Sequence, residues 1–382
     1  MKIINRLAGL VAALTITVVS VPAGAAAIDD IVFFGDSLSD TGNVWYATGG
    51  FPPFPYYQGS SGLPPDFTGG QWSGPGGPSW PTLFASTFSL TATPSLVGGN
   101  NYAWGGARTG VNEDPTPWLD QQVMLYQISG SQPDAGTLVS IMIGGNDVAN
   151  NLGDTVALQG GITSIITQIA HLYGLGVRQF VVSNVPDIGA TPSFQTLDAG
   201  SPGIAEFATF WTMQWNATLE AALDQLQLPG AVISYFDLYS FSKDPELLAM
   251  FANTTDACII FAPDGTISSI CDDPASYFYW DSFHPSSTSH ALVAEALSRT
   301  VIATLLQQLR ADVTGVGPGK SLANKVSRAQ TNYARADIEA TCGVLRGFKN
   351  QVRAQSGKKL TGTQAAGFRS DASAIMEAIG CN

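Results

Sequence analysis

The chain has 382 residues, 45% of them hydrophobic, enough for one large domain with a sizeable core and a smaller accessory unit. Its formal net charge is −13 with only 17 Lys and Arg, and no basic stretch is interleaved with aromatics, which argues against nucleic acid as a partner. Three histidines and no close cysteine pair argue against a metal site, and no cofactor is expected.

Residues 1–27 place Lys2 and Arg6 ahead of an apolar stretch and then offer small residues from Ala23 to Ala27, the pattern of a secretory signal cleaved near 25–27. An uncleaved membrane anchor is the alternative, but the apolar part is short for a span. No later stretch is long and apolar enough to cross a bilayer. The expected location is therefore secreted, periplasmic or cell-surface.

A short apolar strand is predicted over 31–34, with similar runs at 138–143, 179–183 and 231–236. Helical spacing covers 155–173 and 204–226 between them, and 288–309 after the last strand. Strands apolar on both faces, alternating with helices, predict a layered α/β sandwich around a parallel sheet with right-handed crossovers. The stretch 46–80 is crowded with Gly, Pro and aromatics and predicts a long irregular excursion whose aromatics favour an ordered lip.

The first strand halts at Gly35, Asp36 and Ser37, which leaves a hydroxyl at the carboxyl end of a parallel strand, where open α/β sheets bind ligands. A helix-capping serine is the plain alternative. The nucleophile-elbow pattern does not apply, because Ser39 stands where that motif needs glycine. A serine alcohol needs an imidazole to take its proton and a carboxylate to fix the imidazole's tautomer. Asp281 and His284, in the run Asp281, Ser282, Phe283, His284, Pro285, supply both; a turn aspartate and a histidine at a helix start are the plain alternatives. His171 and His290 fall inside helix patterns and are weaker candidates. For the oxyanion, NYAWGGART at 101–109 offers the Gly106 N–H, and IGGNDVANN at 143–151 offers the Asn146 amide. Together these residues fill every role of an acyl-transfer site.

Of the three pairings open to the four cysteines, Cys258 with Cys271 and Cys342 with Cys381 keeps each bridge within one region; free structural thiols are the alternative. Residues 310–319 read as a linker between a main domain over 28–309 and a small helical module over 320–382. The run TGVGPGKS imitates a phosphate-binding loop, but Thr314 occupies the first glycine position and no strand precedes it, so a helix start is the better reading.

The blocks FGDSLSDTGN, NYAWGGA, GGNDV and WDSFHP, in this order, resemble the GDSL or SGNH hydrolases, in the lipase/esterase branch, over 28–309. The resemblance implies a flavodoxin-like three-layer sandwich with a central parallel sheet of about five strands, here followed by the small all-α C-terminal module. It also implies hydrolysis of carboxylic esters through an acyl-enzyme, without metal. Ser37 would attack, His284 would shuttle the proton, Asp281 would orient it, and the Ser37 N–H, Gly106 N–H and Asn146 amide would hold the charged oxygen. An ester or phospholipid is the expected substrate, with peripheral contact to lipid surfaces. The alternatives are a phospholipid-dependent acyltransferase using the same serine, a catalytically silent surface protein binding lipid or glycan, and a metallophosphatase, whose histidine ligands are missing. The tail from 317 onward resembles helical modules appended to secreted bacterial proteins, which implies attachment or stability.

Overall fold

The computed structural model describes residues 28–59, 70–110 and 116–381; the signal-like segment 1–27 lies outside them. The chain runs β1 (Asp30–Gly35), α1 (Asn43–Thr48), α2 (Trp80–Thr87), α3 (Leu119–Ile128), β2 (Thr137–Met142), α4 (Gly145–Asn150), α5 (Thr155–Gly174), β3 (Gln179–Ser183), α6 (Pro192–Gly200), α7 (Ile204–Gln225), β4 (Val232–Phe236), α8 (Leu238–Ser242) and α9 (Pro245–Leu248). Four short strands follow, β5 (Asn253–Ala257), β6 (Ile259–Phe261), β7 (Ile267–Ile270) and β8 (Tyr277–Tyr279), and then α10 (Ser287–Val313), α11 (Ser321–Ala334), α12 (Ile338–Gln355) and α13 (Gly362–Ala378).

β1 to β4 form a parallel sheet in the order β1-β2-β3-β4. Side chains alternate across it with period two. Ile31, Phe33, Leu138, Met142 and Val181 face α2 and α10, whereas Val32, Phe34, Val139, Ile141, Phe180 and Val182 face α3, α5 and α7. Both faces are covered, which is why these strands read as continuous apolar runs. Each fully buried side chain contributes about 1.5–3 kcal/mol relative to exposure.

The sheet has four strands among the described residues, against the five or so expected, and the reason lies at the free edge of β1. Residues 100–104 run beside it: Phe33 N–H donates to the Asn100 carbonyl (3.1 Å), Tyr102 N–H to the Phe33 carbonyl (2.8 Å), and Trp104 N–H to the Gly35 carbonyl (3.1 Å). The Asn100 amide, not a backbone N–H, fills the Ile31 carbonyl at 2.6 Å. Side chains replace part of the ladder, so the segment occupies a strand position without being a regular strand. Counting it second in chain order gives the spatial order 2-1-3-4-5, and the chain reverses direction across the sheet at β1. That reversal is the topological switch point, the crevice where such sheets bind ligands.

α10 extends to Val313, four residues into the stretch 310–319 read as a linker. Leu305, Leu306, Leu309 and Val313 continue its apolar spacing and pack in one core with Leu322, Val326, Leu345, Phe348, Ala372 and Ile375 of the three helices that follow. The turn between α10 and α11 holds the phosphate-loop-like run, and α11 starts at Ser321. Disulfides join Cys258 to Cys271 and Cys342 to Cys381. No helix among the described residues is long and apolar enough to cross a membrane.

Candidate active site

The last residue of β1, Gly35, is a glycine because nothing larger fits: a Cβ there would collide with the Met142 carbonyl oxygen. Gln122 of α3 clamps the same residue, its Oε1 accepting the Gly35 N–H (2.9 Å) and its Nε2 donating to the Gly35 carbonyl (2.8 Å). The chain then turns, with the Asp36 carbonyl accepting N–H bonds from Ser39 (3.0 Å) and Asp40 (2.9 Å). Asp36 Oδ1 accepts the Leu38 N–H at 3.0 Å. Ser37 sits on this turn with only 6% of its surface exposed. Burial drives the Asp36 carboxyl up to about 7.

The loop from Trp280 to Ser286 is folded by Asp281. One carboxylate oxygen, Oδ1, accepts the N–H groups of Phe283 (2.7 Å) and His284 (2.6 Å), and Trp280 N–H donates to the His284 carbonyl (2.8 Å). Ser286 caps α10 immediately afterwards. The other oxygen, Oδ2, lies 2.8 Å from His284 Nδ1, and His284 Nε2 lies 2.8 Å from Ser37 Oγ across 247 positions of sequence. Ser37, His284 and Asp281 therefore form one continuous hydrogen-bonded chain. Burial pushes the Asp281 carboxyl up, but the facing His284 and the hydrogen bonds from His284 and Tyr56 outweigh it, so it stays below the ordinary carboxylate range.

The excursion supplies two aromatics to this pair. The Tyr56 hydroxyl donates to Asp281 Oδ2 at 2.7 Å, on the same oxygen that faces the imidazole. The Trp72 ring lies over the His284 ring, centroids 4.9 Å apart at 32°. Tyr56 is itself held edge-on to Trp72 and Trp280 and stacked on Phe261. Neither residue was singled out by sequence reasoning. Only the aromatic density of 46–80 hinted at them.

Gly106 and Asn146 are brought to one corner. Gly106 has a φ of 81°, a left-handed conformation that glycine takes without strain. The preceding Gly105 N–H donates to Asp40 Oδ2 (3.0 Å), and Asn146 Nδ2 donates to the Ala107 carbonyl (3.0 Å). Asp147 fastens the same loop by accepting the Thr109 hydroxyl (2.7 Å) and N–H (3.1 Å), and burial raises its carboxyl to about 6. Asn146 and Ser37 both line a crevice walled mostly by apolar side chains, with Asp36, Asp187 and Lys243 among its polar residues.

The other histidines are placed differently from one another. His171 is exposed in the last turn of α5. His290 is buried, accepts the Trp80 N–H at Nδ1 (3.3 Å), lines the crevice, and is held neutral by burial and by His284, its pKa pushed down to about 3. Among the described residues, no group of three or more His, Cys, Asp and Glu is arranged to hold a metal ion.

The chain is an α/β protein whose first parallel strand ends beside a buried serine that is hydrogen-bonded to a histidine. The family model of the GDSL-like lipase/acylhydrolases matches residues 31–297. The chain belongs to this family. A GDSL esterase/lipase of Arabidopsis thaliana is 27% identical over 254 residues, 53% of this chain and 64% of the relative, and a second covers 73% and 90% at 25% identity. An acetylesterase of Thermothelomyces thermophilus is 28% identical over 287 residues, 70% of this chain and 86% of its own. The chain thus spans just under two thirds of the first relative. A solved Lactobacillus plantarum protein aligns over 71% of this chain and 95% of its own at 14% identity, with a TM-score of 0.35, too low to bear on the argument.

Proposed function

We propose that the protein is an exported serine esterase that hydrolyses lipid-like carboxylic esters through an acyl-enzyme. The observation that carries this reading is the Ser37–His284–Asp281 chain, with both links at 2.8 Å. His284 Nε2 takes the Ser37 proton as Oγ bonds to the acyl carbon, and the carbonyl oxygen gathers negative charge. The Ser37 N–H, Gly106 N–H and Asn146 amide are the donors for that charge. The carbon–oxygen bond to the alcohol then breaks, and His284 returns its proton to the departing oxygen. Water repeats the sequence, giving the carboxylic acid and restoring Ser37. Asp281 holds the imidazole in the tautomer with its proton on Nδ1 and stabilises the imidazolium.

Export is supported by the charged-then-apolar opening of the sequence and by two disulfides, which persist in oxidising compartments. The helical unit over 320–382 serves attachment or stability rather than chemistry, since the reactive residues all lie within 28–309. The direct test is Ser37→Ala: turnover of a short acyl ester falls by roughly five to six orders of magnitude while circular dichroism and melting stay those of the wild type. Retained turnover removes the reading. Hydrolysis also declines toward acid, because a charged imidazole cannot accept the serine proton.

A further inference from the structure

Charge is divided unevenly along this chain. Residues 320–382 hold ten Lys and Arg against four Asp and Glu, a net of +6, whereas 28–319 hold five against 26, a net of −21. No acid lies between Asp312 and Asp337, or between Glu339 and Asp371. A separation of this kind speaks to partners rather than to the fold.

The fold gathers five basic side chains at one end of the helical unit. The turn after α10 packs on the turn between α12 and α13: a Cβ at Gly317 would lie 2.9 Å from the Leu360 side chain, and Gln351 Nε2 donates to Ser321 Oγ. The second turn is fixed by the Gln355 carbonyl, which accepts the N–H groups of Lys358 (3.0 Å), Lys359 (3.1 Å) and Leu360 (3.1 Å). Lys320, Lys358 and Lys359 therefore come from touching turns, with Arg310 in the last turn of α10 and Arg353 in the last turn of α12. All five are exposed, and none forms a salt bridge among the described residues. The acid next to them in sequence, Asp312, is half-buried and accepts from Gln308 Nε2 (2.8 Å). α10 starts at Ser287, just after His284, and runs 27 residues, roughly 40 Å, to this end. The basic end and the Ser37 site thus stand at opposite ends of α10.

We propose that this basic end is a docking surface for an anionic phospholipid bilayer, which holds the protein with its Ser37 site turned away from the lipid. The inference gives the attachment role of the helical unit a ligand and does not depend on the Ser37 mechanism. Cations on touching turns at one blunt end suit a plane of phosphate groups, and each adds to the attraction. The Ser37 end of the acidic main domain lies well beyond the roughly 10 Å over which charge is felt at about 0.1 M salt.

The test is sedimentation with vesicles, using the chain from Ile28 to Asn382, which keeps every described residue. Vesicles of equal parts phosphatidylcholine and phosphatidylglycerol bind it, vesicles of phosphatidylcholine alone do not, and added salt weakens the binding. Lys320→Gln, Arg353→Gln, Lys358→Gln and Lys359→Gln combined lower the partition coefficient by roughly a hundredfold or more, with the melting temperature unchanged. Exchanging Lys for Arg and Arg for Lys at the same four positions keeps the binding. Arg335→Gln, at the other end of α11, changes it by about twofold or less. No binding to the mixed vesicles, equal binding to both kinds of vesicle, or equal binding by the parent and the fourfold Gln variant overturns the inference and leaves the esterase reading standing. Binding to dextran sulfate with no binding to vesicles also overturns it and assigns the surface to an acidic polymer.

Discussion

The carboxyl ends of β1 to β3 and the contact between α10 and α13 both bury carboxyl groups; apart from Asp36, which meets one N–H, the first region surrounds them with donors and the second does not. At the first, Asp40 accepts N–H bonds from Gly42, Asn43, Val44 and Gly105, Asp147 holds Thr109 by hydroxyl and N–H, and Asp281 is met by two N–H groups, an imidazole and a phenol. At the second, Asp312 and Asp371 each keep a buried Oδ2 with no partner. A buried carboxylate costs free energy unless donors surround it, so the saturated set is where the fold fixes geometry. The unsaturated pair sits in a contact held by apolar packing, where geometry matters less.

If this contrast is right, changes in the first region register in turnover and changes in the second in stability. The largest effect is expected from Asp281→Asn, which keeps the shape but loses the charge that fixes the imidazole. Its kcat falls by roughly 10⁴-fold. Tyr56→Phe removes one charge-assisted hydrogen bond from Asp281 Oδ2 and lowers kcat by roughly tenfold, with KM little changed. An unchanged kcat, with only the melting temperature lowered, marks Tyr56 as packing alone.

The two disulfides sharpen the same division. Cys342→Ser with Cys381→Ser opens a 39-residue loop and costs about 4 kcal/mol by chain entropy, read as a lower melting temperature with ester turnover at room temperature intact. Cys258→Ser with Cys271→Ser opens a loop of 13 and costs about 3 kcal/mol. This second pair also loosens the β6–β7 hairpin that carries Phe261 against Tyr56, so kcat drops as well. Equal effects on kcat from the two pairs break the comparison.

The smallest effect is at Asp371, which burial and then the charge of Asp312 raise to about 7. Between the ordinary carboxyl range near pH 4 and about pH 7 the folded chain keeps a proton that the unfolded chain releases, so this residue's contribution to stability falls as pH rises through that window. Asp371→Asn therefore raises the melting temperature by a few degrees at about pH 8 and changes little at about pH 4. A shift equal at both pH values contradicts the assignment.

The sheet was legible because burial on both faces writes each strand as an uninterrupted apolar run, and β1 to β4 fall within a residue or so of the expected positions. The Asp281–His284 pair was legible because its members are three positions apart and fold on each other. Tyr56 and Gln122 were not, since their contacts span 225 and 87 positions and nothing local distinguishes them from other loop tyrosines or helix glutamines. β5 and β7, with the sequences NTTDA and ISSI, are short and mostly polar or exposed, so no apolar period announces them. The strand position beside β1 was obscured because the Asn100 side chain makes a bond that a ladder would otherwise make. The end of α10 was misjudged because Arg310 and Asp312 interrupt the apolar pattern one turn before Val313 closes it.

The central claim is that Ser37 is the residue to which the acyl group is transferred. Intact-mass measurement and peptide mapping after treatment with an alkyl fluorophosphonate test it most directly. The account predicts one adduct per chain, on the peptide carrying Ser37, forming in step with the loss of ester turnover and absent from Ser37→Ala. An adduct on any other residue, or turnover that survives full modification of Ser37, contradicts it.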